Sequence, residues 1–217
     1  PTAAMFRRSM WERAGGYVQL YAPGEDAEFY TRGLSIGYTA RKVDSVSLIH
    51  YRAHAGSASR TKQYRPIDMW HPWMRDGMFP FAAPTSGTTT IPVRSYALPL
   101  VSVIVPVGPG HTRYLPAALD SLLGQTFRNW EALVIDDTEG GGGGWERIKQ
   151  VYPFIRFWET HNLDGDNVSM GAGFARNVGI EHARAPLVLF LDADDWLHPL
   201  ALQQMLQIQN AGGFLHL

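Results

Sequence analysis

Three carboxylates follow an apolar run near the carboxyl-terminal end of the chain. Residues 187–191 read LVLFL, and Asp192, Asp194 and Asp195 come directly after them. A short, wholly apolar run is typical of a strand that is buried on both faces. If extended geometry persists beyond the run, Asp192 and Asp194 point the same way and could bind one hard cation that holds the phosphates of a nucleotide. A strand ending in a solvated acidic turn would give the same pattern.

A second apolar run ends in acidic residues, Asp136 and Asp137, in the same way. The strand-like runs of this part of the chain lie at residues 101–107, 131–137, 155–158 and 187–192. Helical patterns separate them, and this alternation predicts an α/β fold with a mostly parallel sheet flanked by helices. Ligands of such sheets bind beyond the carboxyl ends of the strands. We therefore expect both acidic pairs to lie at one ligand-binding edge.

The composition argues against several classes of function. A hydrophobic content of 45% with 18% charged residues fits a globular protein. The net charge of −1 gives no electrostatic case for binding nucleic acid, and no apolar run approaches the length of a membrane span. The absence of cysteine excludes thiolate metal sites and favours a reducing compartment. A cytoplasmic location is expected, with or without peripheral attachment to the inner face of the membrane.

Composition divides the chain into three regions. The first region, residues 1–62, alternates short apolar runs with charged helical patterns. The linker region, residues 63–98, is rich in Pro and Thr, and the third region, residues 99–217, carries the regular alternation. A helix predicted in the first region begins with Glu25 and Asp26. Helix amino termini favour acidic residues through the helix dipole, so a structural role would also explain this pair.

The third region resembles the amino-terminal half of family 2 glycosyltransferases with the GT-A fold, through the segments VSVIVPV, LDSLLGQTFRNWEALVIDDT and GAGFARNVGIEHARAPLVLFLDADDWLHP. The first region is similar to the carboxyl-terminal half of the same kind of domain, through AAMFRRSMWERAGGY, GEDAEFYTRGLSIGY and LIHYRAHAGSASR. This order implies the back half of one domain followed by the front half of another, as in a fragment of a tandem transferase. The halves could also dock as one domain in permuted order, because separate halves would leave open sheet edges.

The resemblance implies transfer of a sugar, usually with inversion, from a nucleotide-diphosphate sugar to a carbohydrate or glycolipid acceptor, with a UDP-sugar as the favoured donor. Asp26 matches the catalytic base of the family, and Asp194 with Asp192 matches its ligands for Mg²⁺ or Mn²⁺. The expected nucleotide-sugar-binding residues are Pro106, Asp136, Asp137, Arg176, Asp192 and His54. Within this set the acidic pair is expected at the nucleotide base and Arg176 at a phosphate, although a solvated helix charge would also explain an arginine there.

Two departures from the family pattern leave other functions open. Gly108 and Pro109 stand where the family usually has an aromatic residue and Asn, and Thr138 and Glu139 replace its usual Gly-Ser. A catalytically silent binding or scaffold module is therefore the main alternative. A nucleotidyltransferase would need a glycine-rich basic loop after the first strand, which residues 108–113 (GPGHTR) only faintly match. A dehydrogenase would need G-x-G-x-x-G at that point, and none follows the strand.

Overall fold

The computed structural model describes most of the chain in separate segments. These are residues 4–18, 24–41, 48–52, 98–138, 144–160, 169–209 and 214–216. The predicted linker region lies outside them, except for its last residue, Leu98.

The described residues form helices and strands in alternation. The helices are α1 (Arg8–Ala14), α2 (Glu25–Ser35), α3 (Leu115–Leu123), α4 (Trp145–Val151), α5 (Ala172–His182) and α6 (Ala201–Gln209). The strands are β1 (Ala4–Arg7), β2 (Ala40–Arg41), β3 (Ile49–His50), β4 (Val101–Val107), β5 (Trp130–Asp136), β6 (Ile155–Glu159), β7 (Leu187–Phe190), β8 (Trp196–Leu197) and β9 (Phe214–His216).

One seven-stranded sheet combines strands from the first and third regions. Its order is β2-β9-β1-β7-β4-β5-β6. Strands β7, β4, β5 and β6 are mutually parallel, whereas β1 runs antiparallel to β7 with Met5 opposite Leu189. The predicted fold class, α/β with a mostly parallel sheet flanked by helices, is confirmed. Strand β1, from the first region, lies beside β7, a strand from the far end of the chain.

The sheet separates two apolar cores, and β4 contributes to both through its alternating side chains. Val103 and Val105 pack with α3 and α6 on one face, whereas Ile104 packs with α1, α2 and α5 on the other. Helix α5 lies especially close to the sheet at Gly179, where an added Cβ would be 2.4 Å from Ile104 Cγ2. Any side chain at this position would push α5, and the residues it carries, away from the sheet.

The buried Arg32 side chain joins α2 to the end of α1. Arg32 of α2 donates to the carboxylate of Glu28 and to the carbonyl oxygens of Ala14 and Gly16, at the end of α1. Both charged side chains are almost fully buried. Removal of either one would therefore strongly destabilise the fold, because the other would remain as an unpaired buried charge. The first region thus enters the sheet as a preorganised helix pair rather than as a single added strand.

The amino-terminal edge of the sheet is fastened by the buried carboxylate of Glu131, the second residue of β5. Its Oε1 accepts hydrogen bonds from Ser102 Oγ of β4 at 2.7 Å and from the Arg184 amide at 2.7 Å. Its Oε2 accepts from Arg156 of β6 at 2.8 Å and from Arg184 Nε at 2.9 Å. Burial alone would raise the pKa of Glu131, but these hydrogen bonds from Ser102, Arg184 and Arg156 lower it below its ordinary value.

Glu131→Gln should therefore destabilise the fold by about 1–3 kcal/mol at neutral pH, because the variant keeps the shape but loses charge-assisted hydrogen bonds. Because the pKa of Glu131 is lower in the folded state, its carboxylate stabilises the fold fully at pH values above the unfolded-state pKa. This stabilisation is lost as the pH falls through the folded-state pKa. The stability difference from wild type should thus shrink below about pH 4. Urea unfolding across pH measures it, with the exposed Glu146→Gln as control; a pH-independent difference would contradict the assignment.

Candidate active site

The predicted acidic residues lie at one edge of the sheet, as expected from the parallel strands. Strand β5 ends at Asp136, and its neighbour β4 runs parallel both to β5 and to β7. Strand β7 ends at Phe190, earlier than the sequence predicts, so Asp192 and Asp194 follow it in a turn rather than in extended chain. The condition for the predicted alignment of these two side chains, extended geometry beyond the apolar run, is therefore not met.

The acidic turn, residues 192–195, is closed by a hydrogen bond from the Asp195 amide to the Asp192 carbonyl at 3.0 Å. The Asp195 side chain is buried, and its Oδ1 accepts from the Arg52 amide at 2.9 Å. Burial raises the pKa of Asp195 to about 7; the hydrogen bond from Arg52 opposes this shift, and the charges of Asp192 and Asp194 add to it. Asp195 thus anchors the turn internally, while its two neighbours remain more accessible.

Asp192 and Asp194 retain accessible carboxylates, with 31% and 14% of their side chains exposed. Asp192 Oδ1 accepts from Arg176 Nη2 at 3.2 Å, and Asp194 Oδ2 lies 3.9 Å from His111 Nε2. Burial raises the pKa of Asp192, Arg176 opposes that shift, and the charge of Asp194 adds to it. Carboxylate oxygens are the ligands that a hard divalent cation prefers, so these two side chains remain the candidate metal ligands that the sequence predicts. Among the described residues no group of three possible metal ligands is present.

The predicted base, Asp26, lies near the acidic turn although it belongs to the first region. It occupies the first turn of α2, where its Oδ1 accepts the amide of Ala27 at 2.8 Å. Its neighbour in the chain, Glu25, accepts a hydrogen bond from Arg176, and Arg176 also donates to Asp192, so the start of α2 lies beside the acidic turn. The fold therefore brings together the base candidate and the metal-ligand candidate from the two halves of the sequence.

Arg176 of α5 connects these two groups. Its Nη1 donates to Glu25 Oε1 at 3.0 Å, and its Nη2 donates to Asp192. Only 10% of the Arg176 side chain is exposed. The alternative interpretation of Arg176 as a solvated helix charge is therefore wrong. The structure brings Arg176 to the acidic edge, where the sequence expects a phosphate contact.

Asn177, the next residue, fastens the first region to α5, and the sequence does not reveal this role. Its Oδ1 accepts from Trp11 Nε1 at 2.9 Å and from the Tyr17 amide at 2.8 Å, while its Nδ2 donates to the Tyr17 carbonyl at 3.0 Å. Gly173, one helical turn earlier, leaves room for Glu25, whose Cγ would be 3.4 Å from an added Cβ. The sequence indicates this role only through the residue type, because asparagine is unfavourable inside a helix unless its side-chain amide forms hydrogen bonds.

A second attachment lies on the other side of the acidic turn. Strands β3 and β8 pair antiparallel, and His50 stacks on Trp196 with ring centroids 5.3 Å apart and an interplanar angle of 12°. The Arg52 guanidinium carbon lies 5.0 Å from the Tyr114 ring centroid and 5.2 Å from that of Trp196. Arg52 Nε also donates to the Asp194 carbonyl at 3.1 Å. The sequence gives no sign of the role of Arg52, because its hydrogen-bond partners Asp195 and Asp194 lie 143 and 142 residues away along the chain.

Asp136 and Asp137, the predicted acidic pair at the end of β5, lie in different hydrogen-bonding environments. Both oxygens of Asp137 are occupied, since they accept from a set of donors at the start of α5 and the end of β6: Thr160 Oγ1, Ser169 Oγ and the amides of Met170 and Gly171. Asp136 Oδ1 accepts twice from Thr138, but its buried Oδ2 has no hydrogen-bond partner. Asp136 therefore retains acceptor capacity that Asp137 lacks.

The remaining predicted residues are Pro106 and His54. Pro106 is buried in β4, opposite Ile135 of β5. His54 lies outside the described residues.

Comparison with known proteins identifies the family. The profile described as Glycosyl transferase family 2 matches residues 102–215, more than half of the chain, which therefore belongs to glycosyl transferase family 2. An uncharacterized glycosyltransferase of Rickettsia bellii is 34% identical over 113 residues, 52% of this chain and 15% of that protein. The Escherichia coli UDP-Glc:alpha-D-GlcNAc-diphosphoundecaprenol beta-1,3-glucosyltransferase WfgD is 32% identical over 121 residues, 54% of this chain and 44% of that enzyme. The chain thus spans less than half the length of these relatives.

Among solved structures, Staphylococcus aureus TarS in complex with UDP-GlcNAc is similar, with 27% identity and a TM-score of 0.43. The match covers 51% of this chain and 31% of that one. In the part of the chain that the structure describes, no helix combines the length and apolar character needed to cross a membrane.

Asn177→Ala should loosen the first region from α5, because it removes three hydrogen bonds and leaves the Trp11 and Tyr17 groups without partners. We expect a loss of about 2–3 kcal/mol in the free energy of unfolding. Urea denaturation measures this loss, and Asn129→Ala, at an exposed asparagine, is the matched control. Equal stability of the two variants would show that Asn177 does not fasten the regions together.

Proposed function

We propose that this chain transfers a sugar from a UDP-sugar to a hydroxyl of a carbohydrate or glycolipid acceptor, with inversion and with Mg²⁺ or Mn²⁺ as cofactor. The convergence of the first turn of α2, Arg176 and the acidic turn carries this proposal, because the hydrogen bonds from Arg176 to Glu25 and Asp192 bring base and metal-ligand candidates together from distant segments. The name of the E. coli relative specifies a UDP-Glc donor and a diphosphoundecaprenol-linked GlcNAc acceptor. That name supports a nucleotide-sugar donor and a lipid-linked acceptor for this family member as well.

The donor is assigned to the carboxyl edge of the sheet. Asp194 and Asp192 would hold the metal ion, which when bound would neutralise charge on the diphosphate leaving group. We assign recognition of a uracil N–H to the buried Oδ2 of Asp136, which has no hydrogen-bond partner in the protein, since a carboxylate oxygen accepts such a donor. Asp137, whose oxygens are occupied, would support the donor by fixing residues 169–171. Arg176 at a phosphate, and Pro106 and His54 near the nucleotide-sugar, stay predictions.

The chemical step assigned to Asp26 is removal of the acceptor proton. The acceptor hydroxyl gives its proton to the Asp26 carboxylate as its oxygen forms a bond to the anomeric carbon, on the face opposite the diphosphate. The bond between that carbon and the diphosphate oxygen breaks, and the nucleoside diphosphate leaves with the electron pair. Glu25 is less suited to this role, because Arg176 and the Gly24 amide already occupy its two oxygens.

We further propose that residues 1–62 and 99–217 correspond to the acceptor-side and donor-side parts of two domains in a tandem transferase, joined by residues 63–98. The cytoplasm, or the inner face of the membrane, is the proposed location. A catalytically silent binding module is the second candidate, and one observation favours it: Arg176 already pairs with an oxygen of Asp192 that a metal ion would use.

Calorimetric titration of UDP, with Mn²⁺ and then with EDTA, distinguishes these candidates. Wild-type protein should bind UDP more tightly with Mn²⁺, and Asp194→Ala should weaken that binding by roughly 10-fold or more, since it removes a metal ligand. Glu146→Ala, at an exposed carboxylate on α4, should bind as wild type does. Absence of metal-dependent binding by folded wild-type protein would favour the silent module.

Asp26→Asn should separate donor binding from transfer. The amide keeps the size of the side chain but cannot accept the acceptor proton, so turnover of a UDP-sugar should fall by about 10²-fold or more. Affinity for UDP with Mn²⁺ should remain, because Asp26 is not assigned to the donor. Release of UDP measures turnover, and an Asp26→Asn variant with wild-type turnover would refute the base assignment.

A further inference from the structure

The Arg176 side chain carries a buried charge between two carboxylates of different origin. It donates to Glu25 Oε1 of α2 at 3.0 Å and to Asp192 Oδ1 of the acidic turn at 3.2 Å. Its guanidinium carbon lies 5.7 Å from the ring centroid of Tyr17 and 5.5 Å from that of Phe190, so aromatic faces complete its surroundings. A planar guanidinium can hold two acceptors at a fixed separation, which a lysine ammonium would not enforce.

Glu25 joins this bridge to the backbone of the helix that carries the base. Its Oε2 accepts the amide of Gly24, the residue that precedes α2, while its Oε1 holds Arg176. The first turn of α2 is closed beside it by the hydrogen bond from the Glu28 amide to the Gly24 carbonyl at 3.0 Å. Because Asp26 is the next residue in that turn, the same contacts that restrain Glu25 restrain the backbone of Asp26.

We propose that Glu25 is a positioning residue for transfer: through Arg176 it fixes the first turn of α2 relative to Asp192, and so fixes the base relative to the donor. This inference rests on the proposed function and deepens it. Glu25 receives no role at the donor or in proton transfer, since both its oxygens are engaged by groups of the protein. Its contribution is to set the distance between Asp26, in the first region, and the acidic turn, in the third region.

Loss of this restraint should affect the reaction more than it affects donor binding. The donor residues Asp136, Asp192 and Asp194 belong to the third region and are held by their own strands and turn. The base belongs to a helix that reaches them through the Glu25–Arg176 contact. A displacement of a reacting group by about 1 Å can cost about 10²-fold in rate.

Glu25→Gln tests the inference, with Glu12→Gln as the matched control. Glu12 is also a first-region carboxylate paired with an arginine, Arg8, but it is exposed and on the far helix. The measurements are release of UDP from UDP-glucose and UDP-GlcNAc with Mn²⁺, in which water takes the place of the acceptor hydroxyl and receives the sugar, together with UDP affinity by calorimetry, urea unfolding, and hydrogen exchange of the Glu28 amide. We expect kcat of Glu25→Gln to fall about 10- to 100-fold, with faster exchange at Glu28 and unchanged UDP affinity; Glu12→Gln should match wild type throughout.

Two results would overturn the inference while leaving the proposed function intact. One is a kcat of Glu25→Gln equal to that of Glu12→Gln; the other is a parallel loss of kcat, UDP affinity and stability, which would make Glu25 a merely structural residue. Absence of turnover and of metal-dependent UDP binding in the wild-type protein would overturn the proposed function, and the inference with it. The two failures are distinguishable because the second is measured on the wild-type protein alone.

Discussion

The pairing of β1 with β7 is the constraint on which the rest of the molecule depends. Strand β7 directly precedes the acidic turn, and without β1 it would be an edge strand with unpaired backbone groups. The same pairing brings α1 and α2 onto the face of the sheet that α5 covers, where Phe6, Phe29 and Phe190 pack as one aromatic cluster. Glu25 and Asp26 reach the site through this docking, because α2 carries them.

Polar contacts then set the alignment that apolar packing alone would leave adjustable. The Asn177 side chain accepts from the Tyr17 amide and donates to the Tyr17 carbonyl. Arg176 donates to both Glu25 and Asp192. Hydrogen bonds of this kind have narrow geometric requirements and leave costly unpaired groups when misplaced. On the opposite side of the acidic turn, Arg52 adds a third contact. The site is therefore held by the first region from two directions.

The fold class and the edge that carries the site were predictable from the sequence, because the strand–helix alternation and the acidic strand ends are local patterns. The roles of individual residues were less so. Asp137 looks equivalent to Asp136 in the sequence. Its carboxylate oxygens, however, are fully hydrogen-bonded by Thr160, Ser169 and the start of α5, which only the fold brings close to it. The contacts of Asn177 and Arg52 likewise have partners at great sequence separation, where no periodicity or short motif can indicate them.

The order of the strands along the chain also has a consequence for biosynthesis. Met5 and Leu189 are neighbours in the sheet, but the ribosome makes one long before the other. Until β7 emerges, the apolar faces of β1, α1 and α2 have no sheet to cover. Such distant pairing favours slow folding and a period in which strand edges are open to wrong partners. The edge of β1 is therefore expected to stay unprotected during most of the elongation of this chain.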